Sequence, residues 1–100
     1  MKKIMLVCSA GMSTSLLVNK IKKAADEQGV EADVFAVAEL EAKSHTDVDV
    51  ILLGPQVRFT LPKMVEFMKP YNVPVDVINT VAYGSLNGKV VLEQALSLMK

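Results

Sequence analysis

An α/β fold, with a four-stranded parallel sheet and helices on both faces, is what this sequence predicts, on three observations. Short aliphatic runs alternate with longer stretches of helical spacing, in the order βαβαβαβα. The first run and most of the third are apolar without alternation, as strands buried on both faces require. Right-handed crossovers between successive parallel strands then favour the strand order 2-1-3-4.

Each element has its own warrant. Residues 3–7 form a compact, mostly apolar run, the first strand. Residues 13–29 carry Leu17, Val18, Ile21, Ala24 and Ala25 at helical spacing, with Lys20, Lys22 and Lys23 mostly on the other side, and Gly29 is a helix stop. Residues 33–37 read as the second strand, and the short polar stretch 39–44 as a marginal helix. The dense aliphatic run 48–53, broken only by Asp49, is the third strand. Residues 60–69 form a helix that tolerates Pro62 in its first turn and puts Met64, Phe67 and Met68 toward the core. Residues 74–78 are the fourth strand. Residues 87–100 close the chain as an amphipathic helix, with Val91, Leu92, Ala95, Leu96 and Met99 facing inward. Repeats, linkers and low-complexity tracts are absent, so residues 1–100 are expected to form a single domain.

Composition narrows the function classes. The chain is 51% apolar, so aliphatic side chains can fill a core without disulfides. Eleven basic residues balance eleven acidic ones, and no polybasic run occurs, which argues against a nucleic-acid partner. One cysteine excludes an internal disulfide and a multi-thiolate zinc site, and neither a metal nor a cofactor is expected. The opening MKKIMLVCSAGMS superficially looks like a short signal peptide, but its apolar run is too short for one. No stretch approaches the roughly 20 apolar residues of a membrane span. A cytoplasmic, reducing setting is expected, where a thiol survives.

The chemistry points to one segment: Cys8, Ser9, Ala10, Gly11, Met12, Ser13, Thr14 and Ser15, between the first strand and the first helix. In parallel sheets ligands bind at the carboxyl ends of the strands, at the switch point, which here lies between strands 1 and 3. Most of these residues are small or polar, so backbone N–H groups can turn inward around an anion, beside the unpaired N–H groups of the helix end. Gly11 opens backbone angles closed to other residues. Ser13, Thr14 and Ser15 add hydroxyl donors, one of which caps the helix. A thiol at Cys8 would lie on the floor of that cradle, and the same donors would hold three phosphoryl oxygens. Read structurally instead, Cys8 is a core cysteine ending a strand. No Gly-Lys-Ser/Thr follows, so the loop is not a nucleotide-binding Walker loop. A cysteine-phosphatase loop clamps its phosphoryl group with an Arg at the position held here by Thr14, and no cation occurs from Ile4 to Asn19.

The stretch CSAGMSTS after a short strand resembles the phosphorylation loop of the lactose/cellobiose-type enzyme IIB of the bacterial sugar phosphotransferase system. Ile51-Leu52-Leu53-Gly54-Pro55-Gln56 is similar to that family's segment after its third strand, as is Tyr83-Gly84 to the one before its last helix. The likeness spans essentially the whole chain. It implies a phosphoryl relay: a histidine-phosphorylated IIA partner donates to Cys8, and the group passes to a sugar presented by the membrane partner IIC. Cellobiose, chitobiose, lactose and other β-linked disaccharides fit that role. The runner-up readings are a low-molecular-weight cysteine phosphatase and a redox-sensing thiol domain.

Other side chains are weighed against plainer readings. His45 stands in a polar stretch and reads as a solvated loop residue. Gln56 is either a rim residue of the site or a turn residue after Pro55, and Tyr83 is either a rim residue or a packing tyrosine. Asp47 and Asp49 open the third strand, at the far end from Cys8, and so cannot serve it as acid and base. Met12, in the middle of the loop, offers partners a flexible apolar contact or folds back as filler.

Overall fold

The computed structural model describes residues 1–8 and 14–99. Four strands, β1 (Lys2–Cys8), β2 (Ala32–Ala38), β3 (Val50–Leu53) and β4 (Val75–Val77), form one sheet in the order β2-β1-β3-β4. All pairings are parallel, with Cys8 opposite Ala38 and Val7 opposite both Val37 and Leu53. The expected sheet is therefore present in the expected order. β3 starts two residues later than the aliphatic run suggests. Asp49 still donates its N–H to Lys3 O at 2.9 Å, but its carboxylate, not a main-chain carbonyl, takes the Lys3 N–H at 2.7 Å, which ends the ladder.

Side-chain alternation along β1 explains the two-sided core. Ile4 and Leu6 point to one face, where α1 (Thr14–Glu27) and α4 (Gly88–Leu98) cover them with Leu17, Ile21, Val91, Leu92 and Ala95. Met5 and Val7 point to the other, against α2 (Leu61–Met68) through Met64 and Met68. Lys20, Lys22 and Lys23 are exposed, as the periodicity requires. α1 stops at Gly29, whose φ of 69° is the left-handed turn that glycine adopts without strain. α4 begins one residue after Asn87, whose Oδ1 accepts the Val90 N–H. α1 and α4 approach so closely that a Cβ on Gly88 would collide with the backbone of Lys20 and lie 2.6 Å from Ile21 N.

Residues 39–44 make a 3₁₀ turn whose only buried member is Ala42. A second 3₁₀ segment, Pro55–Thr60, precedes α2. One helix escapes the sequence reading: α3 (Thr80–Gly84), capped by Asn79, whose Oδ1 accepts the Ala82 N–H at 3.0 Å. The turn before α3 is held from α4. Gln94 donates through Nε2 to Val77 O at 2.7 Å and accepts the Asn79 N–H on Oε1 at 3.0 Å.

Candidate functional site

Parallel strands bring four chain connections to one end of the sheet, and the candidate site lies there. Cys8 is the last residue of β1, an interior strand with β2 on one side and β3 on the other. Its side chain is 1% exposed, and Sγ contacts Val37 O at 3.9 Å. The turn after β3 closes against the same point. Gly54 donates its N–H to Val7 O at 2.7 Å, and Val57 N–H returns to Gly54 O at 3.0 Å. The end of β1 is thus bounded by β2 through Ala38 and by β3 through Gly54.

Of the predicted loop, Ser9, Ala10, Gly11, Met12 and Ser13 lie outside the described residues, and the cradle expected there is not part of the geometry above. Thr14 is the first residue of α1, and Ser15 follows it on an exposed position. The N-terminus of α1 therefore stands shortly after Cys8, at the carboxyl end of the sheet, with its positive dipole end.

Gln56 and Tyr83, two separate rim candidates, are brought into direct contact. Gln56 Nε2 donates to Tyr83 Oη at 2.6 Å. Gln56 is supplied by the connection after β3 and Tyr83 by α3, after β4. Sequence reasoning missed what holds Tyr83 there. The Asn79 cap was visible as Asn followed by a short helical stretch, but a five-residue helix is too short to show periodicity. Gln94 left no local signal, because its partners are backbone groups in another element.

A charge pair sits at the opposite end of the sheet. Lys3 Nζ and Asp47 Oδ2 are 2.9 Å apart. The hydrogen bond and charge of Asp47 raise the Lys3 ammonium above its ordinary value, and those of Lys3 lower the Asp47 carboxyl below its own. Asp47 and Asp49 are thus engaged with Lys3 far from Cys8, as their sequence position implied. An open cleft of about 830 Å³ lies at that same end, lined by Lys2, Asp49, Val65, Tyr71 and Pro74 among others. His45 packs its ring on Phe35, with centroids 5.5 Å apart, and stays away from the thiol's strand end. No helix among the described residues is long and apolar enough to cross a membrane.

Comparison with known proteins agrees with this arrangement. Residues 3–94 match the family described as the lactose/cellobiose-specific IIB subunit of the PTS system. The chain is 48% identical to the oligo-beta-mannoside-specific EIIB component of Bacillus subtilis (strain 168), over 99% of this chain and 97% of that protein. It is 41% identical to the cellobiose-specific EIIB component of Lactococcus lactis subsp. lactis (strain IL1403), over 98% and 96%. Among solved structures, a cellobiose-specific phosphotransferase IIB component from Borrelia burgdorferi superposes with a TM-score of 0.79 at 42% identity, covering 98% of this chain and 91% of that one. The lactose-specific IIB domain of Streptococcus pneumoniae shares the fold with a TM-score of 0.89 at 20% identity, covering 99% and 98%. The resemblance carried by the CSAGMSTS and ILLGPQ stretches is therefore correct: the chain belongs to the lactose/cellobiose-specific IIB family, phosphotransferase components of the sugar-uptake phosphotransferase system.

Proposed function

We propose that Cys8 is the residue that carries the phosphoryl group. A histidine-phosphorylated IIA protein donates to it, and a β-linked disaccharide presented by the membrane protein IIC accepts from it, on the cytoplasmic side. In the first step sulfur attacks phosphorus, the S–P bond forms, the N–P bond breaks, and the thiol proton ends on the departing imidazole. In the second the sugar hydroxyl attacks, the O–P bond forms, the S–P bond breaks, and the hydroxyl proton returns to sulfur. The cradle for the phosphoryl oxygens is residues 9–15 together with the N-terminus of α1.

The observation that carries this reading is the position of the chain's one cysteine: the carboxyl end of an interior parallel strand, followed by a helix N-terminus. An anion at that place is stabilised by main-chain N–H groups and the helix dipole without a cation. Phosphocysteine held mainly by dipoles keeps a high transfer potential, as a carrier requires and a hydrolase does not.

Exposed apolar side chains support a protein donor. Leu16 in the first turn of α1, Leu40 after β2, Phe59 after β3 and Val81 in α3 are 59%, 96%, 71% and 79% exposed. Each stands on a different connection leaving the carboxyl end of the sheet, which therefore has an apolar rim around Cys8, while Met1, Val65 and Tyr71 are exposed elsewhere. Such a rim suits a transient protein interface. The test is phosphopeptide mapping after incubation with phosphorylated IIA. Label on the peptide containing Cys8 supports the reading, and label on His45 overturns it.

A further inference from the structure

Gly54 is buried at the start of the turn after β3, with an ordinary φ of −61°. Space, not backbone freedom, explains the glycine. A Cβ there would collide with Gln56 Oε1 and stand 3.2 Å from Val7 O. The Gln56 carboxamide is therefore folded back over Gly54, although the residue is exposed. A surface glutamine gives up rotamer freedom to stay folded back, so a partner must hold it. That partner is Tyr83, whose Oη takes the Nε2 hydrogen bond at 2.6 Å. Tyr83 is in turn fixed by α3, whose start is set by the Asn79 cap and by the two bonds from Gln94.

These contacts run in one direction. Tyr83 holds Gln56 over Gly54, and the Gly54 N–H holds the carbonyl of Val7 at 2.7 Å. That carbonyl belongs to the peptide plane joining Val7 to Cys8, so tilting the plane swings the Cys8 side chain. We propose that Gln56 and Tyr83 are a positioning pair for phosphoryl transfer, which sets the direction of the Cys8 thiol by clamping the Gly54 turn onto the end of β1. This inference rests on Cys8 being the phosphoryl acceptor. In-line displacement at phosphorus is sensitive to alignment, and misplacement by about 1 Å can cost as much as 10²-fold in rate.

The experiment is single-turnover transfer from phosphorylated IIA to the full chain, varying IIA concentration, with thermal unfolding measured alongside. Tyr83→Phe keeps the ring and removes the acceptor, Gln56→Ala removes the donor, and the double variant closes a cycle. The expected result is a roughly tenfold fall in the limiting rate for each single variant. The half-saturating IIA concentration and the melting temperature should stay near wild type, and the double variant should be no slower than either single. Gly54→Ala, which crowds both the carboxamide and Val7 O, should also lower the limiting rate. Unchanged limiting rates, or independent multiplicative losses in the double variant, overturn the pair. A rise in half-saturating concentration alone also overturns it, by making these residues docking contacts. No label on wild-type Cys8 overturns the acceptor reading itself, a result distinct from all of these.

Discussion

A single sulfur carries the proposed chemistry, so substitution there should be clean. Cys8→Ser should abolish label uptake while leaving the melting temperature within about 4 °C of wild type, since the hydroxyl is nearly isosteric and can still meet Val37 O. Loss of folding, measured by circular dichroism, would make Cys8 a packing residue instead. The sequence singles out Cys8 as the one thiol, beside a run of small and hydroxyl residues, and the structure adds its place at the end of an interior strand. The Gln56–Tyr83 bond was not legible, because it joins two rim candidates 27 positions apart, one of them on a helix too short to show periodicity. At the other end of the sheet, Lys3 and Asp47 predict a pH dependence. The lowered Asp47 carboxyl contributes stability that is present above its unfolded value and is lost as pH falls through its folded one. The raised Lys3 ammonium contributes stability that is present below its unfolded value and is lost as pH rises through its folded one. Both side chains are solvated, so the effect on stability is small. The direct readout is the Asp47 carboxyl titration by NMR, whose midpoint should move up in Lys3→Met.

Elements were legible in proportion to their length and apolar content. The periodicity of α1 and α4 and the runs of β1 and β3 announced themselves, because each buries a continuous stripe or face. α3 did not, because five residues bury little beyond Ala82 and the helix depends on the Asn79 cap and the Gln94 side chain. The close crossing of α1 and α4 gives a prediction at this scale. Gly88→Ala forces the helices apart at Lys20 and Ile21, and should destabilise the fold by about 1–3 kcal/mol. The measurement is urea unfolding, with the midpoint falling and the slope unchanged. Wild-type stability in that variant would mean the helices shift without cost.

Across the whole molecule, the two ends of the sheet divide their tasks. The carboxyl end gathers Cys8, the Gln56–Tyr83 bond and the apolar rim, whereas the amino end carries the Lys3–Asp47 pair and the open cleft. Leu40→Asp should therefore raise the half-saturating IIA concentration by about fivefold or more. Val65→Asp, exposed on α2 and lining the opposite cleft, should leave it unchanged. Equal effects would remove the rim as the donor's contact. The Gln94 carboxamide has another consequence here. β4 ends the sheet, and since Pro74 O and Ile78 N are turned to β3, Val77 and Asn79 turn their main-chain groups outward. Gln94 occupies Val77 O and the Asn79 N–H in the pattern a fifth parallel strand would use, and Asp76 Oδ1 takes the Val77 N–H at 2.8 Å. One side chain thus impersonates a neighbouring strand and takes up outward groups of Val77 and Asn79 that intermolecular strand addition would use. Removing it by Gln94→Ala should speed hydrogen exchange at the Asn79 amide and bring on aggregation at lower protein concentration, and a variant that stays monodisperse with unchanged exchange would show that the border needs no such guard.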